Sequence, residues 1–131
     1  MPATVERVPD EPIITITFVD EIGSRSDVHQ TLHEIGRYME EINAPLYLLY
    51  DTRTLKITFG GMVASLAEFT TEGLKILPDL PVRTVVIGTN ELVRLASKAA
   101  GQDQYGGHKV VMVETMEEAL AHIRAELAGG Q

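Results

Sequence analysis

A run of five apolar or aromatic residues, Leu-Tyr-Leu-Leu-Tyr at positions 46–50, ends abruptly at the carboxylate of Asp51. A strand that is apolar on both faces has to be covered from both sides, as in a parallel sheet between layers of helices. In such sheets, ligands bind at the edge where the carboxyl ends of the strands meet. The run therefore predicts an α/β fold, and it makes the segment after Asp51 the first place to look for a site.

The order of elements along the chain supports this fold. Residues 13–19 alternate between apolar and polar positions, which predicts a half-buried strand, and residues 4–8 are expected to pair with it as a hairpin. Residues 82–87 and 110–113 are further short runs that are apolar or nearly so, and segments with helical spacing separate the strands. The predicted order is β-β-α-β-α-β-α-β-α, with a mixed, mostly parallel sheet whose N-terminal edge is antiparallel. We expect a single domain over residues 1–131, with an ordered core from about 4 to 127.

Capping residues predict where the helices begin. Ser26 is expected to cap the first helix and Asn90 the third, while Thr115 with Glu118 forms a capping-box signature for the last. The second helix is expected to begin at the glycine pair, Gly60-Gly61. The inward-facing positions of the first helix are predicted to be Val28, Leu32, Ile35, Met39 and Ile42.

Charge and composition exclude several classes of function. The chain has 11 basic and 19 acidic side chains and a formal net charge of −8, whereas nucleic-acid binding needs clustered Lys and Arg. It has no cysteine, which excludes disulfides, thiolate metal sites and cysteine nucleophiles. No apolar run approaches the roughly 20 residues that span a bilayer, and the first residues do not form a signal peptide. We expect a cytoplasmic protein that is not embedded in a membrane and does not bind nucleic acid.

Three segments together carry a family resemblance. Residues 46–51 form an apolar strand ending in Asp, residues 85–88 form a second strand followed by a helix at 90–96, and residues 110–113 precede an x-x-Glu-Glu-Ala-Leu helix at 115–120. In order and spacing they resemble the STAS family, the domain of anti-sigma-factor antagonists and of sulfate-transporter tails, and more specifically its SpoIIAA-like branch. The resemblance covers most of residues 13–127. It implies a regulatory scaffold whose partners are a kinase or other members of a sigma-factor pathway.

The chain departs from this family at its phosphorylation site. In phosphorylatable members, Asp-Ser-Ser-Gly begins the helix after the third strand, and a partner kinase modifies one of the serines. Residues 59–62, Phe-Gly-Gly-Met, fall there, and neither residue that replaces a serine has a hydroxyl. Thr52, Thr54 and Thr58 are nearby, but none is expected at the helix N-terminus, where a phosphate would be favourably placed. We therefore expect that the phosphorylation switch is lost.

A candidate docking rim follows from the predicted sheet edge. Its residues are Asp51, Thr52, Arg53, Lys56, Gly60, Gly61, Met62, Thr89 and Asn90. Asp51 with Thr89, Asn90 and Thr115 could hydrogen-bond a polar ligand, or Asp51 could accept bonds from loop amides while Asn90 and Thr115 cap helices. The glycine pair could present unpaired N–H groups to an anion, or it could serve only to turn the loop. Arg53 and Lys56 could select an anionic partner, or they could simply be solvated.

The histidines offer a weaker possibility. His29 and His33 lie four residues apart on one helix and could chelate a metal, but a third ligand is needed, and Glu40 is the nearest carboxylate on that face. Solvated surface side chains are the simpler interpretation, and His108 and His122 have no sequence partners. We therefore predict no metal site and no cofactor.

The second helix is unusually apolar for a surface helix. Val63, Ala64, Ala67 and Leu74 extend its inward stripe of Met62, Leu66, Phe69 and Leu77. Either the helix is deeply buried between its neighbours, or it exposes a patch that binds a second subunit, a regulatory partner or an apolar ligand.

The predicted function is a non-enzymatic regulatory or protein-interaction domain without catalytic residues. The alternative is a sensor that holds a small apolar or lipid-like ligand, a class of ligand that the SpoIIAA-like resemblance also implies. A homodimer is expected because bare sheet edges are rare. Only convergence of Asp51 with a histidine at the rim would favour an enzyme.

Overall fold

A computed structural model describes residues 3–20, 25–42, 45–78, 82–100 and 110–129. The nine elements follow the predicted order, which is confirmed. They are β1 (Ala3–Arg7), β2 (Ile13–Asp20), α1 (Arg25–Glu41), β3 (Leu46–Leu55), α2 (Phe59–Ile76), β4 (Val82–Ile87), α3 (Glu91–Ala100), β5 (Val110–Val113) and α4 (Met116–Ala128).

The five strands lie in the sheet in the same order as in the chain. β1 is antiparallel to β2, with Val5 opposite Ile16, and every other neighbouring pair is parallel. The mostly parallel sheet with an antiparallel N-terminal edge is therefore confirmed. The turn between β1 and β2 carries Asp10 at φ 62°, a conformation that Asp tolerates better than most residues.

One face of the sheet is covered by α1 and α2, with Val93 of α3 joining the same core. Alternate residues of β2, namely Ile14, Ile16 and Phe18, point into this core, as the alternation of residues 13–19 predicts. The predicted positions Val28, Leu32, Ile35 and Met39 of α1 are buried, and so is Ile42 just past its end. Thr31 and Gly36, which the spacing of apolar residues does not identify, are buried as well.

The opposite face of the sheet is covered by α4 alone among the described helices. Ala119 and Ile123 are fully buried against it. The side chains that they cover are Ile13, Tyr47, Leu49, Val85 and Ile87. Glu126 fastens the helix further, because it accepts hydrogen bonds from Tyr47 Oη at 2.6 Å and from Arg83 Nη1 at 3.0 Å. Burial of β3 from both sides explains why its first five residues are uniformly apolar.

Two predicted boundaries are wrong. Ser26 lies inside the first turn of α1 rather than before it. α2 begins at Phe59, one residue before the glycine pair, and Thr58 is its N-cap. The caps predicted for the other helices are confirmed: Asn90 Oδ1 accepts from Leu92 N at 2.7 Å, and Thr115 Oγ1 accepts from Glu118 N at 3.1 Å. Among the described helices, none is long and apolar enough to cross a membrane.

Candidate functional site

β3 extends four residues further than its predicted end at Asp51, to Leu55. Asp51 is therefore inside the strand, opposite Thr17 on one side and Ile87 on the other, and not at its end. β4 ends at Ile87, so residues 52–55 continue beside β2 only, with Thr54 opposite Val19. This outer half of β3 carries Thr52 and Arg53 of the predicted docking rim. It tolerates polar residues because one of its sides has no strand partner in the described sheet.

The negative charge of Asp51 is paired with the guanidinium of Arg53, two residues further along the strand. Its carboxylate accepts bonds from Arg53 Nε at 3.0 Å and Nη2 at 2.8 Å, and from the Arg53 backbone N–H at 3.1 Å. Hydrogen bonding to the guanidinium lowers the pKa of the Asp51 carboxyl. The carboxylate is buried and bound by protein groups, which favours the interpretation that it fixes the rim rather than binds a ligand.

Replacing Arg53 with glutamine should raise the pKa of Asp51, because the bidentate partner of the carboxylate is lost. A depressed pKa in the folded state stabilises the fold above the unfolded value of about 3.9, and this contribution is lost as pH falls through the folded value. The measurement is a carboxyl-carbon NMR titration. Lys56→Gln is the matched control, since Lys56 contacts Asp20 at 3.8 Å with both side chains largely exposed. An unchanged Asp51 pKa in Arg53→Gln would contradict the pairing.

Thr52 holds the rim against the end of β4. Its side chain is buried, and its Oγ1 donates to the carbonyl of Ile87 at 2.8 Å. Gly88 lies directly over this hydroxyl, because a Cβ at that position would be 2.4 Å from Thr52 Oγ1. The Gly88 N–H in turn donates to the carbonyl of Val113. Thr52 is therefore a packing residue of the rim, enclosed by the strand ends, and Gly88 is glycine because no side chain fits.

The N-terminus of α2 is already capped from within. Thr58 Oγ1 accepts from Gly61 N at 3.0 Å, and the Thr58 carbonyl accepts from Met62 N at 2.8 Å. The expectation that no hydroxyl lies at this helix N-terminus is thus wrong, because Thr58 occupies the N-cap. One of the N–H groups that an anion would need, that of Gly61, is bound to the Thr58 side chain, which weakens the anion-docking interpretation of the glycine pair. Gly60 has open space around it, since a Cβ added there would meet no described atom within 4 Å.

α2 exposes an apolar face at its N-terminal half. Phe59 is 63% exposed and Val63 is 42% exposed, and Ala64 and Ala67 are exposed beside them. Val63, Ala64 and Ala67 therefore lie outside the inward stripe, which favours the alternative of an exposed apolar patch over a deeply buried helix, and the side chain of Leu74 lies outside the described residues. The helix is held instead by Met62, which is buried, and by Phe69, whose ring packs edge-on against Phe18 at 6.1 Å.

The remaining rim residues divide into buried and exposed ones. Met62 is buried and offers almost no accessible surface. Thr89 is exposed, and Asn90 is half-buried and engaged as the cap of α3. Arg53 is about half-exposed and Lys56 is 80% exposed. The accessible part of the predicted rim is therefore Arg53, Lys56, Gly60 and Thr89, adjoining the apolar face of α2.

The described histidines contact residues outside this rim. His29 Nε2 is 2.8 Å from Glu72 Oε1 and 3.8 Å from Glu68 Oε1, both on α2. His33 lies on α1, where it lines a shallow polar depression of about 320 Å³ with Gln30, Glu34 and Arg37. His122 contacts Glu126 at 3.3 Å, and His108 is outside the described residues. The described polar contacts of Asp51 go to Arg53 and to no histidine, so no acid–base pair forms there within the described chain.

The partners of His29 are not the ones expected from the sequence. The sequence predicts a solvated side chain with His33 beside it on the same helix, but the structure places His29 against Glu68 and Glu72 of α2. One signal for this is present in the sequence: Glu68 and Glu72 are acidic residues of α2, four apart on one face of an otherwise largely apolar helix. Acidic residues on the packed side of such a helix indicate a partner on the helix that it contacts.

Solved structures share this fold. An uncharacterized protein of the DUF3478 family from Shewanella loihica PV-4, with a SpoIIAA-like fold, matches with a TM-score of 0.63 and 20% identity over 91% of this chain and 90% of its own. The anti-sigma factor antagonist SpoIIAA in its unphosphorylated form matches with a TM-score of 0.58 and 17% identity over 93% and 97%. No protein-family model and no curated protein sequence matches the chain. The chain has a SpoIIAA-like fold, as the resemblance in sequence implied.

Proposed function

We propose that this chain is a non-enzymatic regulatory domain that binds a protein partner through the rim and the N-terminal half of α2. The docking surface consists of Arg53, Lys56, Phe59, Gly60, Val63, Ala64 and Ala67. The observation that carries the proposal is the exposure of Phe59 and Val63, which are large apolar residues in one stripe of a helix. Exposed apolar residues grouped in this way are typical of protein interaction sites.

The composition of the surface indicates the chemistry of the partner. Aromatic and aliphatic side chains supply the buried centre of most interfaces, and charged groups at the rim steer association and select partners. Here the apolar stripe follows two basic residues, Arg53 and Lys56, on a chain with a net charge of −8. A partner with an apolar groove bordered by acidic residues would be complementary. The likeness to the anti-sigma factor antagonist SpoIIAA supports a partner from a sigma-factor pathway, either a regulatory kinase or a sigma-associated protein.

The alternative of a small apolar or lipid-like ligand has less support. The depression on α1 is shallow and open to solvent, whereas ligand pockets are concave and enclose most of the ligand. The two apolar clusters on either side of the sheet are filled by side chains from α1, α2 and α4. Native mass spectrometry of freshly purified protein distinguishes the two functions, because a retained lipid adds its mass to the chain.

The proposal is tested by affinity capture from the source cell with two rim variants as bait. Arg53→Glu with Lys56→Glu reverses the charge, and Phe59→Ser with Val63→Ser removes the apolar stripe. Both variants should recover the partner at least about ten-fold less than wild type, because centrally placed apolar contacts dominate binding energy. The measurement is quantitative mass spectrometry of the captured proteins.

Leu95→Ser is the matched control for this experiment. Leu95 is 48% exposed, a fraction similar to that of Val63, but it lies on α3 outside the docking surface. A partner that is kept by Leu95→Ser and lost from both rim variants supports the proposal. Identical protein sets from all four baits would contradict it, and thermal melts of each variant would establish that the folded state is retained.

A second copy of this chain is a further occupant that the same surface could accept. β1 forms one edge of the sheet, and pairing of edges or of apolar helix faces is a common route to homodimers. Light scattering at high protein concentration tests this, since a monomer mass would rule the homodimer out. A dimer that Phe59→Ser with Val63→Ser converts to monomer would assign the docking surface to self-association.

A further inference from the structure

Three ligand-type side chains meet where α1 packs on α2. His29 comes from the second turn of α1, and Glu68 and Glu72 come from successive turns of α2. Three potential ligand atoms, His29 Nε2 and one oxygen of each carboxylate, lie within 4.8 Å of one another. Glu72 is the most buried of the three, with 6% of its side chain exposed, and its other oxygen lies 3.3 Å from the Lys75 ammonium. Two carboxylates thus converge on one imidazole nitrogen in a largely buried position.

The imidazole nitrogen itself is the second observation. The His29 side chain is 38% exposed, but its Nε2 atom is buried and makes no hydrogen bond within the described part of the chain. Glu72 Oε1 is near it at 2.8 Å, without the geometry of a hydrogen bond. Buried polar atoms in folded proteins almost always have a hydrogen-bond partner or bind an ion. A buried imidazole nitrogen that faces two carboxylate oxygens without a hydrogen bond is the arrangement that a shared cation would produce.

The spacing of the ligand atoms fits a small transition-metal ion. With metal–nitrogen and metal–oxygen bonds of about 2.0–2.2 Å, two ligands of a tetrahedral zinc ion lie roughly 3.3–3.5 Å apart. The two distances from His29 Nε2, 2.8 Å to Glu72 and 3.8 Å to Glu68, fall on either side of this value. Small rotations of the carboxylates would equalise them. Two carboxylates and an imidazole are suitable ligands for a divalent cation, and the Lys75 ammonium beside Glu72 adds one further positive charge to this set.

We propose that His29, Glu68 and Glu72 bind one divalent cation, with zinc as the ion that fits best. Three protein ligands leave a fourth position for water, which reaches the site along the exposed edge of the imidazole. The bound ion would join α1 to α2 and so restrain the helix that carries the docking surface. The site stands on its own contacts and does not depend on the proposed function.

Isothermal titration calorimetry with zinc chloride tests the site on the full chain, after chelator treatment and exchange into metal-free buffer. Wild type should bind one zinc ion per chain. His29→Gln, Glu72→Gln and Glu68→Gln should each weaken binding at least about ten-fold, because each removes one of only three ligands. His33→Gln is the matched control, since it removes a histidine of the same helix that is outside the cluster, and it should bind like wild type.

Several results would overturn the proposal. Wild type that does not bind zinc at micromolar concentration would show that the cluster is only an ion pair between His29 and the two carboxylates. Binding that survives all three ligand substitutions, or that is lost in His33→Gln, would place the metal elsewhere. Because Glu72 is buried and its replacement could unfold the chain, Glu68→Gln at the more exposed position is the decisive variant. Zinc in about 100-fold excess over its dissociation constant for wild type should raise the Tm of wild type by roughly 5–15 °C, and it should raise the Tm of Glu68→Gln by about half as much or less.

Discussion

Replacing Ile123 with alanine should lower the free energy of unfolding by about 2–5 kcal/mol. Ile123 is fully buried, and α4 is the one described helix that covers the second face of the sheet. The deleted atoms would leave a cavity between the helix and the β3–β4 pair, where Leu49 and Val85 are also fully buried or nearly so. No other described helix is placed to fill that cavity, so the full cost of truncation is expected. Urea denaturation followed by circular dichroism measures it.

Leu95→Ala is the control for Ile123→Ala. It deletes a similar number of atoms from a helix, but Leu95 is 48% exposed, so its replacement should change the free energy of unfolding by no more than about 0.5 kcal/mol. Equal effects of the two substitutions would mean that α4 does not pack on the sheet as described.

Gly88→Ala should destabilise the fold by about 1–3 kcal/mol, because a Cβ at this position would lie 2.4 Å from Thr52 Oγ1. The hydroxyl cannot move away cheaply, since it is buried and donates to the Ile87 carbonyl at 2.8 Å. The expected result is a lower urea midpoint with an unchanged slope, which is the signature of lost stability without a change in the unfolded state.

The cause of the Gly88 effect can be isolated with a second substitution. Thr52→Ala removes the atom that the new Cβ would meet, so Gly88→Ala should cost less in that background than in wild type. Gly60→Ala is the matched glycine control. Gly60 is in the first turn of α2 with open space around it, so alanine there should be neutral or stabilise by up to about 1 kcal/mol. Additive effects of Gly88→Ala and Thr52→Ala would contradict the predicted clash.

The fold is predictable from the sequence because its signals are local and repeated. Apolar runs covered on both faces identify β3, β4 and β5, and strict alternation identifies β2. Helical spacing predicts the buried side of α1 residue by residue. The caps at Asn90 and Thr115 can be found because a side-chain oxygen there satisfies N–H groups two or three residues away, which depends on sequence separation alone.

The errors in the rim have a different physical origin. β3 continues past Asp51 because residues 52–55 still pair with β2, and this pairing is a long-range interaction that the sequence of polar residues does not indicate. The sequence favours a strand end at Asp51 because a buried carboxylate inside a strand is rare, and only the neighbouring guanidinium of Arg53 makes it stable there. Thr58 is harder to recognise as a cap because the glycine pair is the more prominent helix signal.

The orientation of α2 and the surroundings of His29 cannot be derived from one sequence. A largely apolar helix has no broad polar face to orient it, so the exposure of Phe59 and Val63 depends on how α2 packs on α1 and on the sheet. The His29 cluster joins two helices that are far apart along the chain, and such contacts have no fixed spacing.

The agreement between strand order in the sheet and in the chain has a consequence for how the protein is made. Each strand can pair with its predecessor as soon as it leaves the ribosome, and α1 and α2 can close the first face while synthesis continues. Among the described helices, only α4 covers the second face, so this cover arrives when residues 116–128 emerge. A nascent chain that stalls before α4 would therefore carry a nearly finished sheet with one apolar side open, the species on which chaperones are expected to act.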